Sequence, residues 1–277
     1  MDSLVSTEWL AGELDKSDLR IVDATYFLDK NARAKFDEEH IPGAVFMDLA
    51  ELADQDSDLP GMLPSAEKFA SRMQALGLGD GSRIVVYDDS PLKTAARAWW
   101  MLKTFGAHEV AVLDGGLSKW KSENRPVESG KASVRHRHFT VWKDESGVRT
   151  LSDMKENQKT GAEQVVDARP AARFTGEEDD PREGVAAGHI RGAKNVPHSQ
   201  LFNDDGTYKS KAELKQIFSD AGIDTELPVV TMCGSGITAA VLSFALHLIG
   251  AERTALYDGS WTEWGGQSDT NKVTGAA

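Results

Sequence analysis

The sequence predicts an α/β fold: two tandem domains of one kind, each a mainly parallel sheet with helices on both faces. Three observations point to it. The chain repeats itself, each repeat alternates short apolar runs with helix-like segments, and 277 residues suit two domains of ordinary size. At a shift of 144 residues, Val22-Asp23-Ala24 falls on Val166-Asp167-Ala168, and Asp114-Gly115-Gly116-Leu117-Ser118-Lys119-Trp120 falls on Asp258-Gly259-Ser260-Trp261-Thr262-Glu263-Trp264. Between these anchors, His40-Ile41-Pro42-Gly43-Ala44 answers His189-Ile190-Arg191-Gly192-Ala193 at a shift of 149. Duplication of one domain is the simplest source of such spacing.

In the first repeat, Arg83-Ile84-Val85-Val86-Tyr87 reads as a buried strand, Ala95 to Leu102 as a helix and Val110-Ala111-Val112-Leu113 as the next strand. Strand, helix and strand in that order make a parallel pair with a helical crossover. From about Lys121 to Gly147 the pattern breaks at Asn124-Arg125-Pro126, Ser129-Gly130 and Asp144-Glu145-Ser146-Gly147. The expected division is therefore a first domain over 1–130, a linker over 131–150 and a second domain over 151–277. Within the linker, Phe139-Thr140-Val141-Trp142 is expected to form a short strand. His136 and His138, with no acidic or sulfur ligand nearby, read as a solvated face. The second repeat continues with a strand over Val229-Val230-Thr231-Met232, a helix from Ala239 to Leu248 that stops at Gly250, and a strand over Thr254-Ala255-Leu256-Tyr257. Sheets of this kind gather ligands at the carboxyl ends of their strands, where Cys233 falls.

Composition narrows the function classes. Hydrophobic residues make up 40% and charged residues 27%, with no apolar stretch long enough to span a bilayer. Met1 to Leu10 lack both a basic leader with an apolar core and an arginine-rich transit pattern, so a cytoplasmic location without membrane association is expected. A formal charge of −13 speaks against nucleic acid as a partner and obliges any anionic substrate to be met by local arginines. Cys233 is the single cysteine, which excludes an intrachain disulfide, a dithiol motif and a multi-thiolate zinc site. A reactive thiol here acts alone.

Cys233 precedes Gly234-Ser235-Gly236-Ile237-Thr238 and then an apolar helix. A strand end, a glycine-rich turn and a helix start bring backbone N–H groups together around the thiol and favour its anionic form. A lone cysteine is ordinarily a small buried apolar residue. Two glycines and two hydroxyls placed at a helix start argue for the reactive reading. The shift of 144 sets Asp89 opposite Cys233 and Pro91 opposite Ser235, so the first repeat lacks the nucleophile, and Pro91 removes an N–H from its loop. That repeat is expected to be a scaffold. Before His189 the second repeat carries about five extra residues around Arg173 to Gly184, an enlarged loop expected to act as a substrate lid. The lid supplies Arg173 and Arg182, with Arg169 just upstream. His40 and His189 recur in both repeats and read as structural, and the repeated tryptophans read as packing groups.

The duplicated His-Ile-x-Gly-Ala and Asp-Gly-Gly/Ser-x-x-x-Trp signatures, with a live Cys233-Gly234-Ser235-Gly236-Ile237-Thr238-Ala239 loop in the second copy only, resemble the tandem-domain rhodanese-type sulfurtransferases over nearly the whole chain. The neutral loop is similar to that of 3-mercaptopyruvate sulfurtransferases. Thiosulfate-preferring members carry arginine and lysine where Gly234 and Ser235 stand. The resemblance implies two tandem rhodanese-like domains that move a sulfur atom from 3-mercaptopyruvate through a Cys233 persulfide to a thiol such as thioredoxin, or to cyanide, releasing pyruvate without cofactor or metal. It makes Cys233 and Ser235 catalytic. Arg173 and Arg182, the latter in Pro181-Arg182-Glu183-Gly184, would hold the substrate carboxylate and carbonyl, and Gly234, Gly236, Ile237 and Thr238 would complete the substrate loop. The Arg173 match departs from the family's Gly-Arg-Phe pattern because Ala172 precedes it. Animal members place an aspartate and a histidine behind the loop serine where Ala50 and Gly61 stand, so a serine–histidine–aspartate relay is not expected. Two readings stay open beside the main one: thiosulfate:cyanide sulfur transfer, and a non-catalytic binding module. Cysteine phosphatases need an arginine six residues after the cysteine, a place held by Ala239.

Overall fold

Short runs of Val, Ile and Leu between polar turns are too apolar to leave either face in water, and they form the interior of two parallel sheets. The computed structural model describes every residue except Ser133 and Ala277. Its two compact units draw on exchanged pieces of chain. Unit 1 comprises Met1–Gln55, Leu63–Asp144 and Phe202–Tyr208, and unit 2 comprises Asp56–Met62, Glu145–Leu201 and Lys209–Ala277. The segment expected as a linker over 131–150 is thus divided at Asp144, and each unit takes in a seven-residue loop from the other half of the sequence.

Unit 1 contains strands β1 (Leu4–Val5), β2 (Leu19–Asp23), β3 (Ala44–Phe46), β4 (Arg83–Tyr87) and β5 (Glu109–Leu113), all parallel, in the order β1-β5-β4-β2-β3. Its helices are α1 (Thr7–Glu13), α2 (Ala32–Glu38), α3 (Leu49–Leu52), α4 (Ala66–Ala75), α5 (Ala95–Thr104) and α6 (Gly116–Ser122). Unit 2 repeats the design with β6 (Val148–Arg149), β7 (Gln164–Asp167), β8 (His189–Ile190), β9 (Lys194–Asn195), β10 (Val229–Met232), β11 (Thr254–Tyr257) and β12 (Lys272–Val273). Five of these form a parallel sheet in the order β6-β11-β10-β7-β9, while β12 and β8 pair antiparallel by themselves. Its helices are α7 (Leu151–Thr160), α8 (Ala171–Thr175), α9 (Lys211–Asp220), α10 (Ala239–Leu248) and α11 (Ser260–Gly266). No helix among the described residues is long and apolar enough to cross a membrane.

The recurring signatures hold equivalent places. His40 lies flat on Phe36 with centroids 4.0 Å apart, and its Nδ1 meets Phe36 O at 2.7 Å. His189 stacks on Phe174 at 3.8 Å, and its Nδ1 meets Phe174 O at 2.8 Å. Both are buried, so each histidine closes a turn from inside. Trp120 and Trp264 are likewise buried, and their indoles donate to Pro126 O at 2.7 Å and Asn271 O at 3.0 Å. The strand expected over Phe139-Thr140-Val141-Trp142 does not form. Side-chain docking prevails over β propensity there. Phe139 is buried against Phe69, and Thr140 donates to Asp80 through both its N–H and its hydroxyl, at 2.8 and 2.6 Å.

Candidate active site

Cys233 is the first residue after β10 and stands six residues before α10. Helix α10 is apolar on all sides, with Ala239 through Leu246 buried, so its position is set by the core and its first turn faces the cysteine loop as a fixed positive end. Gly236 turns the chain at φ +77°, a conformation glycine adopts without strain. The start of α11 pins the cysteine backbone from the other side. Ser260 Oγ accepts from Cys233 N at 3.1 Å and donates to Tyr257 O at 2.8 Å; Trp261 N donates to Cys233 O at 2.9 Å; Thr262 donates to Gly234 O through N at 2.9 Å and Oγ1 at 2.6 Å. Cys233 is 2% exposed, whereas Gly234, Ser235 and Ile237 are half-buried and Gly236 and Thr238 are buried. The thiol is enclosed, while Gly234, Ser235 and Ile237 of its loop keep partial exposure to solvent.

The strand register corrects the sequence alignment of the two loops. Val22 pairs with Val86 and Asp23 with Tyr87, while Val166 pairs with Thr231 and Asp167 with Met232. Ala24 N donates to Tyr87 O and Ala168 N to Met232 O, both at 2.8 Å. The residue equivalent to Cys233 is therefore Asp88 and not Asp89. Six residues separate Asp88 from Ala95 against five between Cys233 and Ala239, and that one-residue insertion displaced the alignment. Leu117 N also donates to Asp88 O at 3.1 Å, as Trp261 N does to Cys233 O. A Cβ on Gly116 would lie 2.3 Å from Asp88 O, so glycine is obligatory there; at the matching place unit 2 carries Ser260, at φ +50°.

Asp88 shows what such a loop holds. Its carboxylate is buried and accepts from Ser90 N at 2.8 Å and Ala95 N at 2.7 Å, one donor from the loop and one from the helix start. Burial pushes it up to about 6, against the pull of those two amides and of Lys93, so it is ionised at neutral pH. A group held above its unfolded value binds its proton more tightly when folded. Its contribution thus favours folding at low pH and declines as pH rises from about 4 to about 6. Asp88→Asn is accordingly expected to gain on the wild type by up to about 3 kcal/mol between pH 4 and pH 7, read from paired denaturant titrations. A pH-independent difference would show that the carboxyl is not raised above its ordinary range in this cradle.

The arginines of the second repeat have three different settings. Arg182 lies against the cysteine loop: a Cβ added to Gly234 would sit 3.4 Å from Nη1 and 3.5 Å from Nη2. Its side chain is 32% exposed and pairs with Asp180 at 3.1 Å. Arg173, on α8, is 39% exposed and reaches toward Glu178 at 3.9 Å. Arg169 is 4% exposed, donates to both oxygens of Asp167 and to Gly188 O, and lies 4.4 Å above the Trp261 ring. Those bonds leave Arg169 as an internal pin. Gly61, within unit 2, approaches the loop so closely that a Cβ would lie 3.2 Å from Ser235 O and 3.6 Å from Ile237 Cδ1. Glycine therefore stands behind Ser235, and no imidazole reaches the serine from that position.

The rhodanese-like domain family matches residues 6–123 and again 150–267. The chain belongs to this family. As a tandem rhodanese-like protein it is 40% identical to the 3-mercaptopyruvate sulfurtransferase of Homo sapiens over 271 residues, 95% of this chain and 91% of that one. It is 39% identical to the thiosulfate sulfurtransferase of Gallus gallus, over 95% and 93% of the two chains. The crystal structure of the 3-mercaptopyruvate enzyme from Escherichia coli superposes with a TM-score of 0.86 at 38% identity, covering 94% of this chain and 99% of that one. The tandem α/β architecture expected from the repeat is thereby established, and the activity class is sulfur transfer between a small-molecule donor and a thiol or cyanide acceptor.

Two hydroxyls around the rhodanese-like loop, those of Ser260 and Thr262, are not singled out by the sequence, and Asp180 reads there only as one of four acids open to surface pairing with the arginines. Ser260 and Thr262 lie inside the repeated Asp-Gly-x-x-x-x-Trp motif, whose tryptophans read as packing groups. The replacement of Gly116 by Ser260 between repeats was the signal available for one of them. Asp180 sits among acids that look alike in sequence, and only its burial sets it apart.

Proposed function

We propose that the chain takes one sulfur atom from 3-mercaptopyruvate onto Cys233, releases pyruvate, and passes the sulfur to a thiol such as that of reduced thioredoxin, or to cyanide. The observation that carries this reading is the Arg182 guanidinium lying over Gly234, the residue next to the nucleophile. A planar fork of donors at that distance suits the carboxylate of a 2-oxo acid whose sulfur is presented to Cys233. Arg173 joins it on the carboxylate or the keto oxygen.

The Cys233 thiolate attacks the substrate sulfur, forming an S–S bond as the C–S bond breaks. The C–S electron pair moves onto the carbon skeleton as the enolate of pyruvate, which takes up a proton. Asp88 supports two N–H donors meeting the side chain at this point of the fold, since its carboxylate accepts from Ser90 N and Ala95 N, although burial there raises the carboxyl. By register, Ser235 N–H and Ala239 N–H serve the sulfur of Cys233 and then the persulfide. The hydroxyls of Ser235 and Thr238 donate to the departing sulfur or the developing enolate, while Gly236 and Ile237 shape the loop. An acceptor thiolate or cyanide then attacks the outer sulfur and returns Cys233 as thiolate.

The neutral loop favours mercaptopyruvate over thiosulfate, because a dianion lacking a carboxylate gains little from one planar clamp and finds Arg169 already bound to Asp167. Side-by-side kinetics, reading pyruvate and transferred sulfur, are expected to give a kcat/KM for mercaptopyruvate at least about tenfold above that for thiosulfate. A preference for thiosulfate would assign the chain to the alternative donor, and inactivity with both would leave the non-catalytic module.

A further inference from the structure

Asp180 differs from the acids that lead up to it. Glu177, Glu178 and Asp179 are exposed, while the Asp180 side chain is 2% exposed. Its Oδ1 accepts from Arg182 N at 3.0 Å and from Arg182 Nη1 at 3.1 Å, and its Oδ2 is buried without a hydrogen-bond partner. Withdrawing a carboxylate from water and leaving half of it unsatisfied opposes folding. Were a loop turn all that the chain needed, the Oδ1 bond to Arg182 N would supply it with the other oxygen in solvent.

The use of that burial lies in what it does to Arg182. This arginine projects from an irregular loop, is a third exposed and has a long side chain with many rotamers. Left to itself it would sample positions away from Gly234. We propose that Asp180 is the positioning residue of Arg182: it fixes the guanidinium over Gly234 through Nη1 and leaves the donors of Nη2 and Nε to the carboxylate of a 2-oxo acid. A dry carboxylate with one engaged oxygen serves this purpose well, because no competing donor or water draws it away from the guanidinium. The inference rests on Arg182 being the substrate clamp.

The test is steady-state kinetics with 3-mercaptopyruvate on full-length Asp180→Ala, Asp180→Asn, Arg182→Lys and the Asp180→Ala/Arg182→Lys double variant, with the rate of Cys233 alkylation by a small reagent measured alongside. Asp180→Ala is expected to raise KM about tenfold with kcat within about twofold, and to leave the alkylation rate unchanged. Asp180→Asn keeps the Oδ1 acceptor and is expected to stay within about threefold of the wild-type KM. The double variant is expected to be no worse than Arg182→Lys, since both changes disable one device. A wild-type KM in Asp180→Ala, equal damage in Asp180→Asn, additive losses in the double variant, or a changed alkylation rate would each overturn the positioning role. Wild-type kinetics in Arg182→Lys would remove the clamp itself, and this inference with it. A loss in Arg182→Lys beside a normal Asp180→Ala would remove only the inference.

Discussion

Cys233→Ser is expected to reduce pyruvate formation from 3-mercaptopyruvate at least about 1,000-fold, to the background of the solution. The chain has no second cysteine to take over, and a serine hydroxyl neither attacks sulfur usefully nor stores it as a persulfide. The substitution is also a clean one. Serine is close to cysteine in size, and the bonds that hold this residue run through its backbone, from Cys233 N to Ser260 Oγ and from Trp261 N to Cys233 O. The variant should therefore unfold at a temperature near that of the wild type. Turnover within about tenfold of wild type, measured on a folded Cys233→Ser sample, would show that another group carries the sulfur.

Loss of Arg182 is expected to have the next largest effect. Two charge-assisted bonds to a carboxylate are worth about 1.5–3 kcal/mol each, so Arg182→Ala should lower kcat/KM for 3-mercaptopyruvate at least about a hundredfold. Arg182→Lys keeps the charge but loses the planar fork, and should cost at least about tenfold. The lysine variant is the more decisive of the two. Alanine also strips Asp180 of the guanidinium it pairs with and leaves a buried carboxylate without that partner, which destabilises the fold as well as the site. Unchanged kinetics in Arg182→Lys would take this arginine out of the site.

The fold was legible because duplication writes the same constraints twice. Apolar strands, the His40 and His189 turns and the Trp120 and Trp264 plugs depend on local pattern, and each appears in equivalent contacts in both units. The cysteine loop stands out in the sequence for a related reason: its glycines and hydroxyls suit a reactive turn and have no use in a core. Register was less readable. A single inserted residue between Asp88 and Ala95 shifted the apparent partner of Cys233 to Asp89, and only hydrogen bonding between strands could place it. The exchange of Asp56–Met62 and Phe202–Tyr208 between units is a tertiary choice that leaves no periodic trace. Asp180 was hidden for want of burial information, because one acid in a run of four is indistinguishable from its neighbours until solvent is excluded from it.

Asp88 and Cys233 together define the central claim. The same strand-to-helix turn holds a carboxylate in one unit and a thiol in the other, and the thiol is proposed as the temporary seat of one sulfur atom. Intact-protein mass measurement after brief exposure to 3-mercaptopyruvate, with no acceptor present, tests this most directly. A mass gain of a single sulfur, mapped to Cys233 and discharged when cyanide or a reduced thiol is added, is the expected result. Pyruvate release from a protein that never gains that sulfur would contradict it.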